Sequence, residues 1–367
     1  MKKGYYIHFQ GRDSIGVSKK IDMQMEEFKK YCSIDELEIE TNTRTLFQRL
    51  WGLFPTVSIA RNYSKAFEKL ENPDFLYVRR TVADKEYINF WKEVKAKYPN
   101  CKIIIEIFTY PYDKDDFAKW NAWPFYIKEI LYRRQLKRYV DRFVTYSADR
   151  EIFGVPTICT TNGINVDNID IVRGEYKANK ITLIGVAYMQ RHHGYERIME
   201  GMRKYYAGKD HKYTVELLLV GDGPEKEKYI GLVNQYQLQD FVKFYPVMSG
   251  KQLDEMYDQS DIALASFGMY KLGIEKLGAL KTRECLAKGM PLLTGCEIDV
   301  LDEDYKYVKN FPNDKQSVDM QEVINFYERI REEGKDKATV ANVIREFAIQ
   351  HVSMQSVMKP IMDYIES

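Results

Sequence analysis

The sequence predicts an α/β protein of two Rossmann-like, doubly wound domains facing a cleft, and three observations carry that reading. At 367 residues the chain is too long for one ordinary core and suits two domains of roughly 150 to 200 residues. Its strand-like segments, GYYIHF, DFLYV, KIIIEIF, RFVTYS, KITLIGVA, VELLLVGDG, FVKFYP, DIALAS and MPLLTG, are continuously apolar, as expected of parallel strands covered on both faces. Helix-length segments separate them, which is what parallel crossovers require. A cleft between two such domains is the default place for a ligand.

Bulk composition narrows the function classes. Apolar residues make up 45% of the chain, and 55 Lys plus Arg nearly cancel 54 Asp plus Glu, so no global charge drives it toward nucleic acid. The opening MKKGYYIHFQGRD starts positive like a signal peptide, but Gly4, His8, Gln10 and Gly11 break any apolar run, and it reads as a first strand. No stretch approaches the ~20 apolar residues that span a bilayer, so a soluble or peripheral protein is expected. The five cysteines, Cys32, Cys101, Cys159, Cys285 and Cys296, are odd in number and contain no C-x-x-C pair, which fits reduced cytoplasmic thiols.

Punctuation places the elements. In SGKQLDEMYDQSDIALAS, Ser249 and Gln252 have capping-box spacing, so a helix of about ten residues should lead into a strand at Ile262 to Ala265. In LKTRECLAKGMPLLTG the helix should run through Leu286 and Ala287, stop at Gly289, and give way to a strand edged by Pro291. Polar residues and glycine interrupt the pattern in NGINVDNIDIVRGEYKANK, which puts the inter-domain linker near 165–178.

Several side chains stand out chemically. VELLLVGDGPEKEKY turns tightly at Gly221-Asp222-Gly223-Pro224, but a dinucleotide fingerprint needs glycine where Lys226 stands, so nicotinamide binding is disfavoured. Glu106 lies inside an apolar strand and must be either ion-paired or functional. Adjacent His192 and His193 lack a third ligand at metal spacing, so no metal is expected there. FAKWNAWPFYIKEILYRRQLKRYVDRF joins Trp120, Trp123, Phe125, Ile127, Ile130, Leu131 and Leu136 to Arg133, Arg134, Lys137 and Arg138. That mixture suits either an anionic membrane surface or a domain-covering helix with a solvated basic face.

Taken together, the Gly221 turn, Val242-Lys243-Phe244, Tyr257, Asp261-Ile262, the run Lys281 to Pro291, and the upstream Thr161-Asn162-Gly163-Ile164-Asn165-Val166-Asp167 resemble the family-4 (group 1) glycosyltransferases of the GT-B fold. GVAYMQRHHGYERIMEGM, LKTRECLAKGMP and IEIFTYPYD are similar to bacterial transferases that build capsule or exopolysaccharide. The resemblance implies an acceptor-side domain over 1–168, completed by a C-terminal helix at about 350–367, and a nucleotide-sugar domain over 169–349. It implies a retaining, metal-independent hexosyl transfer from a UDP-linked sugar to a glycan or lipid-linked acceptor, with the donor as substrate and no cofactor. The setting would be cytoplasmic, with peripheral contact at the inner membrane surface and no nucleic acid.

Residue by residue, the resemblance puts Glu284 on the ribose hydroxyls, since one carboxylate can accept from two vicinal hydroxyls. Arg191 and Lys281 would meet the leaving diphosphate, His193 would sit near the phosphates, and Gly16, with Lys19 and Lys20, would stand in the loop that faces the donor. Gly221 and Gly223 would line the nucleotide, and Glu106 would take the place of an acceptor-side histidine. The sequence departs from the family twice. Val186 replaces the usual arginine after Gly185, and Lys276 stands eight residues before Glu284, leaving Glu275 one position off for the donor sugar. Two rivals remain open. One is a metal-dependent GT-A transferase using Asp113-Lys114-Asp115 or Asp302-Glu303-Asp304. The other is a non-catalytic partner that keeps the fold without donor binding.

Overall fold

A computed structural model describes residues 1–9, 15–41, 54, 57–113, 122–302, 304–334 and 336–367. The chain forms two compact units, Met1–Thr161 with Val357–Ser367, and Asn162–Ser356. The polar stretch at 165–178 therefore lies inside the second unit. Gly11 of the first loop, Trp120, the Lys114-Asp115 pair and Glu303 fall outside the described residues.

Unit 1 is a seven-stranded sheet. Its strands are β1 (Lys3–His8), β2 (Ser33–Glu38), β3 (Phe75–Arg79), β4 (Lys102–Ile107), β5 (Arg142–Thr145), β6 (Glu151–Ile152) and β7 (Val155–Cys159), in the order β2-β1-β3-β4-β5-β7-β6. Every pairing is parallel except β6 with β7. β1, β3 and β4 are buried almost end to end, which explains their unbroken apolar text. Asp84 caps the Lys85–Lys97 helix by accepting from the Tyr87 amide at 2.9 Å. That helix presses Tyr87, Phe90 and Trp91 into the core. The last helix, Met354–Glu366, brings its Tyr364 carbonyl to the Lys102 ammonium, which donates to it at 2.7 Å.

Unit 2 carries a wholly parallel six-stranded sheet, in which β8 (Lys180–Tyr188), β9 (Thr214–Asp222), β10 (Val242–Tyr245), β11 (Ile262–Leu264), β13 (Leu292–Thr294) and β15 (Val308–Asn310) run in the order β10-β9-β8-β11-β13-β15. A two-stranded ribbon of β12 (Lys276–Leu277) and β14 (Glu297–Ile298) stands apart from it. The winding reverses between β8 and β11, and in such sheets the crevice outside the carboxyl ends of the strands at that point is where ligands bind. The same reversal occurs in unit 1 between β1 and β3.

Helix punctuation held at one expected place and failed at another. Gly289 ends the Leu280–Lys288 helix in the left-handed conformation, and the Met290 amide reaches back to the Cys285 carbonyl at 2.9 Å. The Lys251–Asp258 helix, by contrast, is capped by Gly250 with no side-chain bond. Ser249 therefore does not cap it, because the chain enters through a positive-φ glycine one residue later.

Candidate donor site at the switch point of unit 2

Two loops meet over the reversal in unit 2. The loop after β8 runs through Gln190–Gly194 and the loop after β11 through Ser266–Gly278. They are joined where the Phe267 amide donates to the His193 carbonyl at 2.8 Å and the Gly268 amide to the His192 carbonyl at 3.0 Å. Gly194, at φ +64, lies so close to this seam that a Cβ would stand 2.5 Å from the Gly268 nitrogen. The Lys271 ammonium ties the seam further, donating to the Arg191 carbonyl at 2.9 Å and pairing with Glu196.

The Leu280–Lys288 helix points its first turn at this seam. Its approach is fixed from behind by Arg283, fully buried, which pairs with Asp299 and donates from Nε to the Asn162 carbonyl at 3.2 Å. The Asn162 side chain in turn donates to the Gly278 carbonyl at 2.9 Å. The Asn-Gly pair in the linker-like text thus has a structural job, clamping the loop that feeds the helix.

On the open side of that helix stand Lys281 and Glu284, three residues apart and so on one face. Lys281 is half-buried and donates to the Tyr195 hydroxyl at 3.2 Å. Burial pushes its pKa down to about 8, against the opposing pull of Cys285 and Glu284. His193 is buried, and its Nδ1 accepts from the Gln190 amide at 3.0 Å. Burial first, then Lys281 and His192, lower its pKa to about 3, so the ring is neutral at physiological pH. Its ring lies 5.7 Å from that of Tyr195. Arg191 is exposed, and its guanidinium makes no ion pair among the described residues. The geometry therefore brings Lys281 and His193 together beside Tyr195, with Glu284 one turn along the helix from Lys281.

Other expected site residues stand differently. Glu275 is exposed at the entry to β12, and its carboxylate makes no bond among the described residues. Lys276, in the position eight before Glu284, pairs with Glu297 at 3.2 Å on the ribbon. Gly16 is exposed in the first turn of the Ile15–Lys29 helix, and a Cβ there would meet nothing, so packing does not require a glycine.

Gly221 and Gly223 have a packing reason of their own. A Cβ on Gly221 would stand 2.0 Å from the Ala187 carbonyl oxygen, and one on Gly223 would stand 2.4 Å from the Met189 nitrogen, both at positive φ. What approaches these glycines is the backbone leaving the adjacent strand β8, so their small size serves sheet closure. Gly221→Ala should cost at least about 2 kcal/mol by overpacking and φ strain, read from the midpoint of urea unfolding.

Of its two readings, Glu106 takes the ion-paired one. It is fully buried in unit 1 and held from all sides: Lys20 at 3.2 Å, Arg79 at 3.2 Å, the Tyr146 hydroxyl at 2.6 Å and Gln24 at 3.0 Å. Burial alone would raise its pKa, but Lys20, Arg79 and the two hydrogen bonds hold it at about 2. A carboxylate so satisfied has neither the access nor the basicity for catalysis at neutral pH. Lys20, expected beside a phosphate loop, is the inward partner of this pair, while Lys19 stays exposed.

Sequence reasoning missed the groups around the reversal in unit 1. A cavity of about 300 Å³ opens there, lined among the described residues by His8, Phe9, Arg79, Arg80, Phe108 and Phe125, among others. His8 sits buried beside Glu36 at 2.9 Å, and Arg80 lies 3.6 Å from the centre of the Tyr112 ring. Only the strand-end positions of His8 and of the Arg79-Arg80 pair could have hinted at this, because the pairing depends on tertiary register. Among the described residues, no three His, Cys, Asp or Glu side chains gather as a metal cluster, and no helix is long and apolar enough to cross a membrane.

With this geometry in place, residues 167–295 match the family described as glycosyl transferases group 1, and the match ends beside the Leu280–Lys288 helix. The chain resembles that family over this stretch, which lies within unit 2. Its fold aligns over 100% of its length with 98% of a glycosyltransferase from Rickettsia africae, at 11% identity and TM-score 0.60. The lipopolysaccharide outer core galactosyltransferase WaaB in its apo form aligns over 100% of both chains, at 12% identity and TM-score 0.58. An α-glucosyltransferase in complex with UDP and a 13-mer DNA also aligns over 100% of both chains, at 15% identity and TM-score 0.55. At these identities the likenesses establish the GT-B fold alone, and neither activity nor substrate. No curated protein matches the sequence significantly.

Proposed function

We propose that this protein is a glycosyltransferase that binds a UDP-linked hexose in the crevice of unit 2 and transfers the sugar, with retention and without a metal, to a glycan or lipid-linked acceptor in surface polysaccharide synthesis on the cytoplasmic face of a membrane. The observation that carries the reading is that Lys281 and Glu284 share one helix face at the switch point, with Lys281 and the neutral His193 both beside Tyr195 and Arg191 in the loop after β8. A carboxylate there suits vicinal ribose hydroxyls, while two cations and the helix N-terminus suit the diphosphate. During transfer the bond from the anomeric carbon to the diphosphate oxygen breaks, a bond to the acceptor oxygen forms, and the acceptor proton passes to the leaving phosphate. UDP bound in a likeness of the same fold supports the choice of nucleotide. Glu275, exposed ahead of the helix, is the proposed contact for the donor sugar.

Calorimetry with UDP is the direct test. Glu284→Ala should weaken UDP binding about 10-fold to 100-fold, the worth of one charge-assisted hydrogen-bond pair, with unchanged melting. Equal affinity in the folded variant would refute the assignment of Glu284. Activity abolished by EDTA and restored by Mn²⁺ would favour the metal-dependent rival, and no binding of any nucleotide would favour the non-catalytic one.

A further inference from the structure

The Trp123–Tyr132 helix of unit 1 is built inside out. Helical spacing puts Trp123, Ile127, Ile130 and Leu131 on one face, and Trp123, Ile130 and Leu131 are 51%, 45% and 52% exposed. On the other side Lys128 and Glu129 are 0% and 1% exposed. Glu129 accepts from the Ala83 amide and the Tyr112 hydroxyl, each at 2.6 Å, and pairs with Arg80 at 3.5 Å. The helix therefore turns Lys128 and Glu129 inward, Glu129 against the loops after β3 and β4, and leaves Trp123, Ile130 and Leu131 uncovered among the described residues. An ordinary covering helix has the opposite arrangement, and apolar patches of this kind mark interaction sites.

Charge complementarity selects the occupant. The helix runs straight into the 3-10 turn Arg133–Arg138, where Arg134, Lys137 and Arg138 are exposed and make no ion pair among the described residues. An aromatic and aliphatic face followed by uncompensated cations matches the acyl boundary and headgroups of an anionic bilayer. The same helix borders the cavity of unit 1 through Ala122 at its start and Phe125. We propose that unit 1 docks on an anionic lipid surface through the Trp123, Ile130 and Leu131 face, placing that cavity beside the interface for a lipid-borne acceptor. The inference rests on the preceding reading only for the acceptor and extends it to a surface.

Sedimentation of the full chain with vesicles of phosphatidylcholine alone, and of phosphatidylcholine mixed with phosphatidylglycerol, tests it. Binding is expected only to the mixed vesicles and should weaken with salt. Ile130→Glu with Leu131→Glu should reduce it about tenfold or more, and so should Arg134→Ala, Lys137→Ala and Arg138→Ala combined. The second set keeps the test valid should the first disturb folding. UDP affinity, measured in parallel, should stay unchanged in both. Equal binding to neutral vesicles, undiminished binding by the two variants, or a shift from dimer to monomer in the first variant without lipid would overturn the proposal, the last by showing that a second copy covers the face. Loss of UDP binding with lipid binding intact would sink the donor reading and leave this one standing.

Discussion

Lys281→Met should lower kcat about 10²-fold to 10³-fold, the usual loss when one preorganised group facing developing charge is removed, with little change in stability. Methionine preserves the stem, and burial already disfavours the ammonium, as its pKa of about 8 records, so the fold gives up no favourable charge. The same pKa fixes the pH dependence. Lys281 is protonated below about 8, and only the cation can balance charge on a departing diphosphate, so kcat/KM in the wild type should fall as pH rises through about 8. Lys281→Arg should remove that basic limb, because a guanidinium keeps its proton throughout the range. A wild-type profile flat to pH 10, or turnover unchanged in the methionine variant, would take Lys281 out of the reaction.

The helix that carries Lys281 and Glu284 is legible because its signal is local. They sit on one helical turn, bounded by a glycine stop and a buried strand, and the structure keeps each of those features. Legibility fades where a side chain's meaning depends on a distant partner. Glu106 announced itself as anomalous in an apolar strand, but nothing local said that Lys20 and Arg79 would enclose it. The Gly221 turn reads as room for a ligand, and nothing local says that the backbone at Ala187 and Met189 also approaches it.

Two of the missed strands share a physical cause. β2 reads SIDELE and buries only Ile34 and Leu37, so its text is mostly solvent-facing charge at a sheet edge, where covering is one-sided. β15 is likewise a short edge, Val308–Asn310. Continuous apolarity found the central strands because both of their faces are covered. The same rule found the apolar edge β10 but not the charged edge β2, nor the inverted helix at Trp123–Tyr132, where composition left membrane surface and covering helix both open and only burial separated the two faces.

Glu106→Ala should destabilise the protein by about 3–5 kcal/mol, because it leaves Lys20 and Arg79 facing each other in the core of unit 1 without their anion. Glu106→Gln should do nearly as much, since the amide keeps the shape but not the charge. Glu106→Leu with Lys20→Met should cost less than the sum of its parts, because the second change removes a cation that the first has orphaned. The carboxyl also predicts an acid limb. Its pKa falls from 4.5 to about 2 on folding, so its contribution is complete above about 4.5 and is lost as pH falls toward 2. The loss is roughly 3 kcal/mol by linkage. Urea midpoints measured from pH 6 down to 3 should therefore decline in the wild type more steeply than in Glu106→Gln. The competing outcome is distinct: a Glu106→Gln enzyme of native stability with turnover abolished would return this carboxylate to catalysis.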